Sequence, residues 1–520
     1  MARHRGEPLP REVDTVIVGA GTCGVAVAAR LIERTDRSVL LVEAGPDWGP
    51  FAEGGWPAEL LDPTVMPVDR YQWGYVSAAW TGLPGLPLER GRLMGGCSSH
   101  NGCAAVWGHR RDYDDWAAAG NPGWGAGAML PLLREADERL HVYQPAPDEV
   151  SPWHRACLET APAVGLPILP TLNDLDAELG IAIHSINIRD RMRWNAAFAY
   201  LDPVRGHPRL HIAAETLVDR LLFDGPRCTG LDVIGPDGPA RVACRSVVLC
   251  GGAYGTPLIL LRSGVGPADD VRAHGIAPVL DLAGVGRNLQ DHPAYPVHFS
   301  GSDRLTRAME AFGGDGGLLR EEGTTVLARS RHCRGPFDLH LYPVGTRSVG
   351  DRGWRFAIAA AVMEPRSRGT VRLGGRDPEA QPVIDTAYFS DPDGYDLEAL
   401  LDGIDLIRGF ASRRPLTELA GDELQPGPDV RNRDTLRDIV RRTGTHDYHP
   451  AGTCKMGPAS DPLAVVNADG VVHGLEGVAV ADISIAPTVP RANTNVPALV
   501  VGLRIADRLI STARGRSLVP

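Results

Sequence analysis

Histidine, cysteine and asparagine stand at three places with the types and spacing that chemistry uses. The first is Cys97-Ser-Ser-His100-Asn101-Gly-Cys103, a Cys-x2-His-x2-Cys run directly behind Gly95 and Gly96. The second is His446-Asp-Tyr-His449, followed by Pro450-Ala-Gly-Thr. The third is Asn493, in Pro490-Arg-Ala-Asn-Thr-Asn. Thiols and imidazoles so spaced can begin a zinc site, with the His446 and His449 pair completing it. Ligands three apart around a glycine turn need not converge, however, and no Cys-x2-Cys occurs in the chain, so no metal is expected. The other reading is of histidines hydrogen-bonded in loops, and of Asn493 as a helix cap.

What positions such residues is legible from the start of the chain. Val16, Ile17 and Val18 are a β-branched run suited to a strand buried on both faces. Gly19, Gly21 and Gly24 follow in the spacing Gly-x-Gly-x-x-Gly around Thr22 and Cys23, and from Val25 the composition turns to that of a helix. Gly19 permits the tight turn, Gly21 lets a pyrophosphate approach, and Gly24 lets the helix pack close to the strand. The helix N-terminus then offers free N–H groups to phosphates. A second strand, Val39–Val42, ends at Glu43 and Ala44, where an acid meets a ribose hydroxyl. The spacing predicts a dinucleotide site, with a carboxylate that disfavours NADP.

The chain of 520 residues is long enough for two domains. A formal net charge of −11 argues against nucleic-acid and anionic-membrane partners. No apolar run approaches the ~18 residues of a membrane span. Met1–Pro8 carries basic residues with no apolar stretch behind them, so no secretory signal is expected. Nine scattered cysteines suggest reduced thiols and a cytoplasmic protein. The 61 glycines and 43 prolines mark a loop-rich chain, below the level of low complexity. The segment from Pro46 to Leu88, with Trp56, Trp73 and Trp80, reads as an irregular surface wrap. Runs at Phe337–Tyr342 and Arg355–Met363 suggest antiparallel strands. Asp396–Phe410 has the apolar period of a helix packed on one face.

Gly91-Arg-Leu-Met-Gly-Gly-Cys-Ser-Ser-His-Asn resembles the first signature of the glucose–methanol–choline (GMC) flavoprotein oxidoreductases. Ser246–Pro257 is similar to the second signature, and Gly284–Pro293 to the turn that follows it. His446–Gly457 fits the family's His-x-x-Gly-Thr-x-x-Met-Gly pattern, and Pro490–Leu499 the start of its last helix. These matches run in family order along nearly the whole chain. The resemblance implies an α/β fold of two domains: a Rossmann-like FAD-binding domain and an interleaved substrate domain on an antiparallel sheet. The first is expected over 1–155, 200–300 and 441–520, the second over 156–199 and 301–440.

Gly95, Gly96, Ser99, His100, Asn101, Val218, Gly252, Asp482 and Asn493 are thereby implied to join Gly19, Gly21, Thr22, Cys23, Gly24, Glu43 and Ala44 around FAD. The histidine in Gly-Gly-Cys-Ser-Ser-His-Asn is closest to that of choline-oxidising members, which implies a covalent bond between His100 and the flavin. Adenosine would lie toward Glu43 and Val218, and the flavin toward His100, His449 and Asn493.

An alcohol carbon gives up hydride only if its hydroxyl proton also leaves, so the site needs a base near the oxygen and a donor for the developing alkoxide. The resemblance implies His449 as the base, since the Pro and Gly-Thr behind it match the family better than those behind His446. Asn493 is the donor. The expected reaction is oxidation of an alcohol to an aldehyde or ketone by hydride transfer to flavin N5, with O2 reoxidising the flavin to give hydrogen peroxide. Alternatives are a dehydrogenase using a quinone or other acceptor, a lyase keeping FAD as scaffold, and an NAD enzyme. The strand Val478–Ala481 ending at Asp482 speaks against the last. No feature fixes the oligomeric state; a homodimer is one option. Gly102 replaces the serine of choline-oxidising members, Tyr342 stands where many relatives have a second histidine, and no Trp-Glu pair is evident near 320–335. Arg329 and Arg331 would repel a cation if they lined the pocket, so a neutral or acidic primary alcohol is expected.

Overall fold

A computed structural model describes residues 9–79, 85–347 and 353–515, with the side chains of 512–515 left out. The readings of Met1–Pro8 and of Trp80 lie outside the described residues. Glu12–Val18 and Val39–Val42 pair in parallel over Thr15–Val18 and Val39–Val42, stretches buried almost throughout in both strands. Leu210–Ala213 extends this sheet beyond Val39–Val42, and Gly238–Leu249 and Val478–Val480 extend it on the other side, all in parallel. Leu217–Asp224, Arg227–Gly235 and Gly238–Leu249 form an antiparallel meander on the same sheet. The helix Thr22–Arg34 is buried over Cys23–Ile32 and packs against the last helix, Asn495–Gly515. A helix apolar on nearly all sides fits an element sandwiched between layers.

A second sheet is antiparallel throughout. Its order is Glu423–Gln425, Pro293–Phe299, Trp354–Val362, Leu339–Arg347, Thr324–Ala328 and Gly180–Ile183, with Thr445–His446 also on Pro293–Phe299. The helix Tyr395–Ala411 covers one face with Leu397, Leu400, Leu401, Ile404 and Ile407, all buried. After Gly180–Ile183, the strands of this sheet resume at Pro293, ahead of the boundary expected at 300. The reason is Pro293 and Pro296, which disguise a central strand because proline cannot donate to a ladder. The gap at Pro296 falls between the two short strands that share this edge. Among the described residues no helix is long and apolar enough to cross a membrane, and all nine cysteines are free thiols.

Candidate active site

A cavity of about 820 Å³ runs from the glycine loop to the second sheet. Gly19, Gly21, Thr22, Cys23, Glu43, Ala44, Gly96, His100, Asn101, Val218, Gly252, Asp482, Asn493 and His449 line it. Gly24, Gly95 and Ser99 do not. A Cβ on Gly24 would lie 1.8 Å from the Gly19 carbonyl oxygen, so this glycine serves helix–strand packing. Gly95 is left-handed at the entry to a turn, and the Ser99 hydroxyl donates to the Met94 carbonyl at 2.9 Å. These two shape the wall from behind. Gly19, at φ +96°, makes the sharp turn, and no atom comes nearer than 3.8 Å to a Cβ placed on Gly21. The segment expected to wrap a surface supplies Met66, Val68, Trp73 and Tyr75 to the wall; tryptophan and proline in an irregular stretch do not separate surface from cavity lining.

At the loop end, Glu43 accepts from the Ala20 N–H and the Gly45 N–H, each at 2.9 Å. Burial pushes its carboxyl up to about 7 against those hydrogen bonds. Asp482 accepts from the Gly252 and Ser484 N–H groups and the Thr256 hydroxyl. It thus fixes the start of the helix Gly252–Arg262 beside the cavity.

At the other end two histidines that look alike in sequence differ. His446 Nε2 donates to the Pro87 carbonyl at 2.9 Å, and its Nδ1 accepts from the Tyr448 N–H at 3.1 Å. Both its nitrogens are taken by backbone. His449 has its Nδ1 3.0 Å from His292 Nδ1, and its Nε2 has no hydrogen bond to the described residues. Asp291 ties the backbones of both residues together by accepting from the His292 and His449 N–H groups at 2.8 Å each, and it accepts from the Tyr388 hydroxyl at 3.0 Å. Burial, and then His292, hold His449 well below the usual imidazole range. Asn493 lies just ahead of the last helix and lines the cavity.

Sequence reasoning missed Asp291, His292 and Asp447. Asp447 lies 3.4 Å from His449 Nδ1 by its Oδ2. Burial and the neighbouring Glu322 hold its carboxyl well above the carboxylate range. The Gln-Asp-His-Pro motif at 290–293 was a signal for the first two, but its partner His449 is 157 residues away.

His292, Asp447 and His449 are the one group of three ligating side chains that converge among the described residues. The Cys97, His100 and Cys103 spacing makes no metal centre, because Cys103 turns away, at φ +63°, to pack with Ile186 and Ile188. Arg329 reaches the Pro336 carbonyl and Glu178, and Arg331 pairs with Asp402. Neither lines the cavity, whereas Glu321, Glu322, Tyr342 and Asp447 do. Those two arginines therefore give no ground against a cationic alcohol, while Arg90 and Arg355 line the same cavity.

Family models described as GMC oxidoreductase match residues 13–294 and 365–502. The chain belongs to the GMC oxidoreductases. As such it is an FAD-dependent enzyme acting on CH–OH groups. The cavity suits that cofactor. A Cβ on Gly96 would come within 2.7 Å of Gly21 Cα, so bare backbone forms the cradle, and His100 Nε2 is a buried polar atom with no partner. This GMC chain is 34% identical to choline oxidase of Arthrobacter globiformis, over 98% of its own length and 96% of the relative's. It is 32% identical to the mitochondrial choline dehydrogenase of Mus musculus, over 95% and 89%. The solved pyridoxine 4-oxidase of Mesorbium loti superposes with a TM-score of 0.86 at 30% identity, covering 96% of this chain and 99% of that one.

Proposed function

We propose that this GMC enzyme oxidises an alcohol to an aldehyde or ketone with His449 as base, Asn493 as oxyanion donor and O2 as final acceptor, releasing hydrogen peroxide. The observation that carries it is the difference between the two histidines, both of which line the cavity: His446 spends both nitrogens on backbone, and His449 Nε2 has no hydrogen bond among the described residues. A neutral His449 with its proton on Nδ1, directed at His292 Nδ1, leaves Nε2 bare to take the hydroxyl proton. Burial favours that neutral form. The Asn493 carboxamide donates to the substrate oxygen as charge develops on it. FAD, when bound, supplies the hydride acceptor at N5.

Gly19, Gly21 and the helix start at Thr22 and Cys23 would hold the pyrophosphate, and Glu43 the ribose hydroxyl. His100 would carry the flavin covalently, which its orphaned Nε2 supports. We further propose an FAD-binding domain built on the mostly parallel sheet and a substrate domain on the antiparallel one, the crossing now at Pro293.

The test is a panel of neutral, cationic and acidic alcohols, read by flavin bleaching without O2 and by peroxide release with it. Bleaching with stoichiometric peroxide is expected. Bleaching that only a quinone or artificial acceptor reverses assigns a dehydrogenase instead. No bleaching with any alcohol overturns the reading.

A further inference from the structure

We propose that Arg193 and Arg320 position His100 for covalent attachment of the flavin by clamping the backbone carbonyls on either side of it. This rests on the attachment at His100 proposed above. Gly96–Ser99 form one 3₁₀ turn, and the His100 and Asn101 N–H groups both donate to the Cys97 carbonyl, at 3.3 and 3.1 Å. There the regular structure ends. No backbone N–H among the described residues donates to the carbonyls of Ser99, Asn101 or Gly102. Buried carbonyls need a donor from somewhere, and without one this loop has nothing to hold its direction.

Two buried guanidinium groups supply the donors. The hairpin of Ile188–Arg189 and Met192–Arg193, with Asp190 and Arg191 both left-handed in its turn, delivers Arg193. The Arg193 side chain is fully buried. Its Nε donates to the Asn101 carbonyl at 2.9 Å and its Nη1 to the Ser99 carbonyl at 3.4 Å, so one planar group spans His100. Nη1 also donates to the Leu60 carbonyl at 2.6 Å, and Nη2 to the Val65 carbonyl. The same group therefore ties the loop to the segment that gives Met66 and Val68 to the cavity wall. Arg320, 6% exposed, donates from Nη2 to the Gly102 carbonyl at 3.0 Å, and its Nε is buried without a partner.

Every acceptor these two side chains reach through a hydrogen bond is a backbone carbonyl. Burying a cation is costly, and an apolar side chain would fill the same space without that cost. What a guanidinium adds is several donors at fixed angles in one plane. Held at Ser99, Asn101 and Gly102, the loop leaves the His100 ring only its own side-chain torsions, which keeps Nε2, buried and without a partner, at one place on the cavity wall. Attachment joins that nitrogen to a methyl carbon of the flavin's benzenoid ring. One methyl C–H bond breaks, and its electron pair stays on the flavin, which is left reduced by two electrons. The methyl proton and the imidazole N–H proton pass to solvent. O2, the acceptor proposed above, then takes up two electrons and two protons as hydrogen peroxide. Neither arginine gains or loses a proton, so both are positioning residues.

The test follows covalent flavin in the full chain. Wild type, Arg193→Met, Arg193→Lys, Arg320→Met and, as the control without a bond, His100→Ala are made in a riboflavin-starved host and then saturated with FAD. Acid-precipitable flavin is measured against time, with non-covalent FAD affinity and thermal midpoint recorded alongside. Arg320→Met should attach FAD at least ~10-fold more slowly than wild type, and Arg193→Met more slowly still, while FAD affinity stays within a few-fold. Arg193→Lys should fall between Arg193→Met and wild type, because an ammonium keeps the charge but reaches fewer of the carbonyls. A merely structural role would lower the thermal midpoint and leave the attachment rate of FAD-saturated protein unchanged. Wild-type rates in FAD-saturated Arg193→Lys and Arg320→Met therefore overturn the clamp and leave the bond at His100 standing. No covalent flavin in wild type overturns both. Should Arg193→Met not fold, Arg193→Lys and Arg320→Met decide by the same rates.

Discussion

His446 and His449 sit three residues apart, and their nitrogens decide between them. Replacing His449 by Ala removes the nitrogen that faces the cavity, and turnover should fall at least ~100-fold, the usual scale of acid–base catalysis. Replacing His446 by Ala removes a bond to the Pro87 carbonyl, which should cost about 1 kcal/mol of stability and leave turnover within a few-fold. Steady-state turnover and thermal midpoints of the two variants check this, and the reverse pattern would transfer the role to His446. Burial also shapes the pH profile. Because His449 is held well below the usual 6.5, its base form persists as pH falls. kcat/KM should therefore stay flat through pH 6.5 and fall only at lower pH, whereas a half-drop centred at 6.5 would show an unburied base.

At the scale of elements, the three glycines of the first loop do different work, and substitution separates them. A Cβ at position 24 would collide with the Gly19 carbonyl, which belongs to backbone that cannot move without displacing the strand. Gly24→Ala should lower the thermal midpoint strongly or abolish folding. A Cβ at position 21 has room, so Gly21→Ala should fold normally and lose FAD affinity at least tenfold, because the methyl occupies the phosphate approach. Thermal melts and FAD titration test the contrast, and equal stability losses in both would refute it. The loop was legible because strand, turn and helix are contiguous and each glycine has a local reason. The Asp291–His292–His449 array was not, since its parts join only when Pro293–Phe299 pairs with Thr445–His446. The second sheet was legible as antiparallel strands and one covering helix, but the two prolines hid the strand Pro293–Phe299. Sequence proximity did not place Arg329 and Arg331, because Glu178 and Asp402 draw them away from the cavity.

Across the whole molecule, buried titratable groups set the acid limit of stability. His154, His184, His292, His340 and His449 are all held below 6.5, chiefly by burial, with His154 and His340 near 3. Unfolding exposes them, so below 6.5 the unfolded chain binds more protons and stability falls with pH. Glu43 and Glu322, each raised to about 7 chiefly by burial, act in the opposite sense. Their protonated forms favour the fold, and that contribution is lost as pH rises from about 4.5 to 7. The two sets oppose each other between 4.5 and 6.5, and below 4.5 the histidines act unopposed by these acids. Five histidines outnumber the two acids, so the thermal midpoint of the holoenzyme should fall below pH 6.5 and fall more steeply below pH 4.5. His154 isolates one part of this slope, because it contacts Thr324 in the second sheet and lines no part of the cavity. A His154→Gln variant removes one proton taken up on unfolding, worth ~1.4 kcal/mol per pH unit. It should be less stable than wild type at pH 7 if Gln loses the Thr324 bond, yet its loss of stability between pH 4.5 and 3.5 should be shallower by that amount. Denaturant unfolding at both pH values measures the slope, and identical slopes in variant and wild type would show that His154 is not held neutral by the fold.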